Sequence, residues 1–130
     1  YGGIVGEITH AVAVIQRDVK TLEERKTQMA ATLSGGESRM LAVGRGLMSD
    51  ARLILIDEPS IGLSPLMKTA VFGAIQRIKT STNISMLVVE QEVDYAKAVA
   101  DRVYLLKKGQ VVLERAAGDI NKEEIEKAYF

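Results

Sequence analysis

The sequence predicts an α/β domain whose mainly parallel sheet is flanked by helices. Two short apolar runs, residues 52–56 and 84–89, each lie between polar turn residues, as strands buried on both faces of a parallel sheet do. Between them, apolar residues recur at helical spacing behind Ser64-Pro65, and helix and strand signals keep alternating toward the end. A chain of 130 residues with 47% hydrophobic and 26% charged residues suits one globular domain with its own core.

From residue 7 to about 26, Ile8, Val12, Ile15, Val19 and Leu22 form the stripe of an amphipathic helix, read here as ordinary packing surface. A second helix is expected over residues 38–48, with Met40, Leu41, Gly44, Leu47 and Met48 on one face and Ser49-Asp50 at its end. The strand at 52–56 follows, and helices should cover both of its faces. Ser64 then caps a helix with Pro65 at its first position, where the missing N–H costs nothing. Leu66, Ala70, Val71, Ala74, Ile75 and Ile78 are its expected buried face, and residues 80–83 a polar loop. The second strand ends in Glu90-Gln91, a helix runs over about 93–100, and residues 103–106 and 111–113 form a hairpin turning at Gly109. Residues 121–129 make a last short helix, with Ile125 and Tyr129 four apart on one side.

Seventeen basic and seventeen acidic residues leave no net field to draw the chain to nucleic acid or an anionic membrane. The absence of cysteine removes disulfides, thiolate metal sites and cysteine nucleophiles, and fits a reducing, cytoplasmic setting. No apolar stretch approaches the roughly 18 residues of a membrane span. The chain opens abruptly at Tyr1 with no leader, so truncation is expected.

Two constellations carry chemistry. Ser34 and Glu37 have capping-box spacing, which explains both residues but not Gly35-Gly36 between them. Each glycine in a first helical turn costs up to about 1 kcal/mol against alanine. Bare backbone, a hydroxyl and the positive end of a helix together let a bulky anion come close, and phosphate is the natural candidate. Asp57-Glu58 stand where the first strand leaves the sheet at its carboxyl end, the edge at which open α/β sheets bind ligands. One acid can orient a hydrated magnesium ion while the other faces a water. Glu90-Gln91 ends the next strand at the same edge, within reach of the same phosphate. Lone His10 has no partners arranged for metal or proton transfer.

Together these residues resemble the ATP-binding-cassette (ABC) ATPases, whose signature motif is similar to residues 33–37, Walker B strand and catalytic glutamate to 54–58, and D-loop to 59–64. The resemblance runs from about Arg25 to the end, and only loosely over residues 1–24. It implies an incomplete P-loop NTPase fold: residues 1–50 as a helical-subdomain remnant with the signature motif and its helix, 51–130 as the carboxyl-terminal part of the RecA-like core. Gln91 stands where most of these ATPases have the switch histidine, and Ser64 where most have the D-loop aspartate. These departures, with residues 88–91, 59–63 and Ala128-Tyr129, look like the ATPase subunits of branched-chain amino-acid importers, the LivF type in particular.

What the resemblance implies is ATP and Mg2+ as ligands, in a head-to-tail dimer with a second ABC ATPase subunit, docked on permease subunits at the inner face of the membrane. Asp57 would contact magnesium through water, Glu58 would be the general base, and Gln91 would position the terminal phosphate. Ser34, Gly35, Gly36 and Glu37 would close over the partner's nucleotide, with Ser64 beside it. The first half of the cassette is missing: no Gly-x-x-x-x-Gly-Lys-Ser/Thr loop occurs, and no glycine is followed by lysine. The chain is therefore expected not to hydrolyse ATP alone. In the family fold the phosphate-loop strand lies between the strand ending at Glu90 and the one beginning near Val103, so its loss would open the sheet. Two alternatives stand beside the importer: a soluble, non-transport ABC ATPase, and a non-catalytic relic that docks on a complete cassette.

Overall fold

A computed structural model describes residues 27, 29–47, 49 and 51–129. The helix expected over residues 7–26 lies outside the described residues. A 3-10 turn, Ala30–Thr32, precedes α1 (Gly35–Leu47), β1 (Leu53–Asp57), α2 (Pro65–Ser81), β2 (Ser85–Val89), α3 (Val93–Val99), β3 (Arg102–Lys107), β4 (Gln110–Ala116) and α4 (Lys122–Tyr129). Composition favours one domain, but the chain divides into two compact units at Gln91/Glu92. The reason lies in the sheets: among the described residues β1 pairs only with β2 and β3 only with β4, so β2 and β3 belong to separate ladders.

In the first unit β1 and β2 run parallel, with Leu53 opposite Ser85, Leu55 opposite Leu87 and Asp57 opposite Val89. The connection is α2, since parallel strands need a crossover. Ser64 caps it as expected, its hydroxyl oxygen accepting from the Met67 N–H, with Pro65 in the first turn. Val71, Phe72, Ala74, Ile75 and Ile78 of α2 are buried, and Met40 of α1 joins this core. Leu66, expected in that stripe, is 79% exposed because it lies in the first turn, ahead of the buried stretch that begins at Val71. The helix also continues to Ser81, past the point where a loop was expected.

Double burial of the strands is overturned. Exposure alternates along both, and Leu53, Leu55, Leu87 and Val89 are all more than half exposed on one face. Ile54, Ile56, Met86 and Val88, on the other face, are half-buried. Burying such a side chain is worth about 1.5–3 kcal/mol, so four of them left in water mark a face the described residues do not cover. The apolar runs were read correctly as strands. What they could not reveal is whether a second layer is present.

The second unit is built around a hairpin. Lys108 (φ 50°) and Gly109 (φ 79°) form its two-residue turn, the paired positive φ that matches the twist of antiparallel strands. The carbonyl of Asp101 accepts from the Ala117 N–H at 2.9 Å, closing the far end, and the carbonyl of Ile120 accepts from Lys97 Nζ at 2.7 Å. Val99, Ala117 and Ile120 are its buried apolar residues. Asn121 caps α4 through the Glu124 N–H, and Arg115 pairs with Glu124 at 3.4 Å, tying α4 to β4. Arg102 and Glu114 pair across the hairpin. Hydrogen bonding with Tyr104, then the charge of Glu114, raise the Arg102 pKa further, so its guanidinium stays charged throughout the working range of pH.

Candidate functional site

The first station is the tip of α1. The Ser34 N–H donates to Glu37 Oε2 at 2.7 Å and the Glu37 N–H to Ser34 Oγ at 3.4 Å, the reciprocal capping box its spacing predicts. The helix consequently starts at Gly35, three residues before the expected start at Ser38. The two glycines turn out to have different reasons. A Cβ on Gly36 would lie 2.3 Å from Met67 Cε, 3.3 Å from Met67 Cγ and 3.4 Å from Met67 Cβ, so its bareness lets α1 approach α2. A Cβ on Gly35 would meet only Leu63 Cδ2, at an ordinary 3.9 Å. Close helix packing is thus a reason for the bareness of Gly36 besides the approach of an anion. The tip is thus divided: Gly36 and Glu37 are buried, while Ser34 and Gly35 are exposed and can meet something outside. Arg39 Nη2 donates to the Ile61 carbonyl at 3.2 Å, joining α1 to the loop after β1.

The second station is the exit of the parallel pair. The Glu58 N–H donates to the Val89 carbonyl at 2.9 Å, extending the ladder one residue beyond β1. Glu58 then adopts φ 43°, a left-handed conformation that costs a non-glycine residue about 1–2 kcal/mol. Its carbonyl accepts from the Ile61 N–H at 3.3 Å, so the chain turns back at once. The turn leaves the half-buried Glu58 carboxylate against Gln91, whose Nε2 donates to Glu58 Oε1 at 2.6 Å. Two residues 33 apart in the chain meet because their strands are neighbours and end level. Asp57, the last residue of β1, is exposed beside them.

Glu90 and Ser60 complete this station. Glu90 Oε1 accepts from Ser60 Oγ at 2.8 Å and from the Gln91 N–H at 2.9 Å, and Glu90 Oε2 accepts from the Ser60 N–H at 3.3 Å. Ser60 is only 2% exposed. From the sequence, Glu90 stood beside Gln91 at this edge with no role of its own, and Ser60 was not singled out. The available signal was that both apolar runs give way to acidic residues at the same sheet edge, and the register that sets Asp57 opposite Val89 aligns the residues that follow each.

Residues 7–61 match the family described as ABC transporter, a segment holding the helix tip and the Asp57–Glu58 exit. The branched-chain amino acid transport ATP-binding protein BraG of Pseudomonas aeruginosa is 39% identical over 110 residues, covering 84% of this chain and 47% of BraG. The chain belongs to the ABC transporter ATP-binding family. It spans about half the length of the curated relatives it matches. The phosphonates import ATP-binding protein PhnC of Frankia casuarinae is 36% identical over 125 residues, 92% of this chain and 49% of PhnC, so family membership does not select a solute. The fold matches that of MJ1267, an ATP-binding cassette of an ABC transporter, with a TM-score of 0.76 at 24% identity over 97% of this chain and 49% of that one.

Within this ABC chain, then, the residues expected to serve one reaction occupy two places. Glu58, Gln91 and Asp57 gather at the strand exit; Ser34, Gly35, Gly36 and Glu37 gather at the helix tip. Ser64, given as a nucleotide-binding candidate, caps α2 through its hydroxyl, which supplies a complete local reason for it. No group of three or more His, Cys, Asp or Glu suited to a metal occurs among the described residues. A lone exposed carboxylate such as Asp57 nevertheless fits magnesium, which keeps several waters and relies on substrate phosphates for its other ligands.

Proposed function

We propose that this chain is the signature and Walker B portion of the ATP-hydrolysing subunit of an ABC importer, of the branched-chain amino-acid type. The observation that carries the reading is the 2.6 Å bond between Glu58 and Gln91 at the carboxyl end of adjacent parallel strands, with Asp57 alongside. Glu58 would act as general base toward the attacking water, its carboxylate held by Gln91. A carboxamide can orient a carboxylate or a phosphate oxygen but cannot relay a proton, which leaves proton removal to Glu58. Asp57 would help to hold magnesium, which when bound would supply positive charge against the nucleotide's phosphates.

Ser34 and Gly35, exposed at the helix tip, would meet the nucleotide of a second cassette, and Gly36 and Glu37 would hold the tip in shape. That division supports the head-to-tail dimer, because a tip committed to the opposite subunit has no need to reach its own Glu58. The phosphate loop, absent from these 130 residues, would be supplied by further polypeptide. The uncovered face carrying Leu53, Leu55, Leu87 and Val89 is consistent with more protein packing there. Permease subunits would provide the membrane portion at the cytoplasmic face, since no helix of the described residues is long and apolar enough to cross a membrane. The branched-chain assignment rests on Gln91, Ser64 and the BraG relative.

The test has two arms. Titration calorimetry of the 130-residue chain with Mg-ATP should give no detectable heat of binding; micromolar affinity would refute this account of the site. In a complete cassette carrying the chain, Glu58→Gln should bind ATP yet lower turnover at least about 100-fold, a loss on the scale of removing a general base. Undiminished turnover would remove Glu58 from its role.

A further inference from the structure

We propose that Glu90 is a positioning residue, a three-point clamp that sets the geometry of the Glu58–Gln91 pair. The inference deepens the proposed ATPase reading and rests on it for its catalytic consequence. One carboxylate receives the Ser60 hydroxyl at 2.8 Å, the Ser60 N–H at 3.3 Å and the Gln91 N–H at 2.9 Å. Ser60 lies two residues after Glu58, and Gln91 directly follows Glu90. The clamp therefore fastens the chain just downstream of the base to the backbone that presents its glutamine partner. It spans 30 residues of sequence, so no local hydrogen bond substitutes for it.

Two further features call for such a fastening. Glu58 holds a left-handed φ of 43°, which persists only where surrounding contacts over-determine it. The Glu58 N–H bond to Val89 fixes one side of that residue and the Ser60 clamp the other. Ser60, at 2% exposure, is shielded from water that would compete for Glu90. An anionic acceptor facing two backbone donors and a hydroxyl is the stronger type of hydrogen bond, suited to holding a turn rigid. These three bonds turn the Glu90 carboxylate toward Ser60 and the Gln91 backbone, so it acts through Gln91 and the Pro59-Ser60 turn.

The test uses the side-chain carboxamide signal of Gln91 in 15N-labelled full chain, with Glu58→Gln as the reference for a pair that has lost its charged acceptor. Glu90→Ala should move the Gln91 signal toward that reference and speed Ser60 amide exchange at least tenfold, while amides of Ile75 and Ile78 stay protected. Glu90→Gln keeps shape but turns a donor toward the Ser60 N–H, and Ser60→Ala removes one donor; both should give intermediate shifts. These two variants decide the matter if Glu90→Ala does not fold. An unmoved Gln91 signal in all folded variants overturns the proposal. In a complete cassette, Glu90→Ala should lower kcat about tenfold with KM for ATP within about twofold, and Glu90→Gln should restore part of the loss. A matched rise in KM with kcat unchanged would also overturn it. A cassette with no turnover in any form would defeat the ATPase reading, while the Gln91 signal would still judge the clamp.

Discussion

The helix tip and the strand exit are both small, polar and built around a glutamate, yet they are held together in opposite ways. At the tip the capping bonds are local: Ser34 and Glu37, three apart, each accept from the other's backbone N–H. At the exit the defining bonds join residues 30 and 33 apart, Ser60 to Glu90 and Glu58 to Gln91. A local motif forms with the helix that carries it, whereas a long-range one exists only after α2 has crossed over and β1 and β2 have paired in register. Chemistry that must be switched on by assembly suits the second arrangement; a surface offered ready-made to another subunit suits the first.

The contrast can be broken experimentally. The largest effect is expected at Gly36, where the local motif depends on one distant contact. Gly36→Leu should force α1 off Met67 and destabilise the chain by about 1–3 kcal/mol in urea unfolding, the range for overpacking a closed contact. A Met67→Ala background should recover part of that loss by opening space, so a strictly additive double mutant would show that Met67 is not the obstacle. Next comes Ser34→Ala, which removes the cap acceptor and should cost about 1 kcal/mol without moving the Gln91 carboxamide signal. A shifted Gln91 would mean that the two stations are coupled and the comparison is mistaken. The smallest change is in the other unit: Lys108→Gly places a permissive residue at φ 50° and should change stability by less than about 1 kcal/mol, with tip and exit spectra unchanged. A loss of more than that would show that the lysine side chain does more than occupy the turn.

Legibility in the sequence follows the same division. Ser34 with Glu37, Ser64 with Pro65, and Gly109 between two apolar runs announced a capping box, a helix start and a hairpin turn, and each is present within a residue or so of its expected place. The gathering of Asp57, Glu58 and Gln91 at one edge followed from two apolar runs whose carboxyl ends lie at the same side of a parallel sheet. By contrast, the packing of Gly36 against Met67 was not legible, because Met67, 31 residues away, is not its neighbour in sequence. Leu53, Leu55, Leu87 and Val89 were placed inside because an apolar run records what a residue prefers, not whether a second layer is there to receive it.

Residue spacing alone thus determined the α/β class, the caps, the turn and the family to which the motifs point, since these depend on interactions within about four residues or on period. Tertiary structure alone decided that Gly36 serves helix packing, that Glu58 adopts a left-handed backbone against Gln91, that Glu90 grips Ser60, and that one sheet face stays open. Each of those depends on which distant segments meet. A chain's local chemistry does not encode that until the strands have found their register.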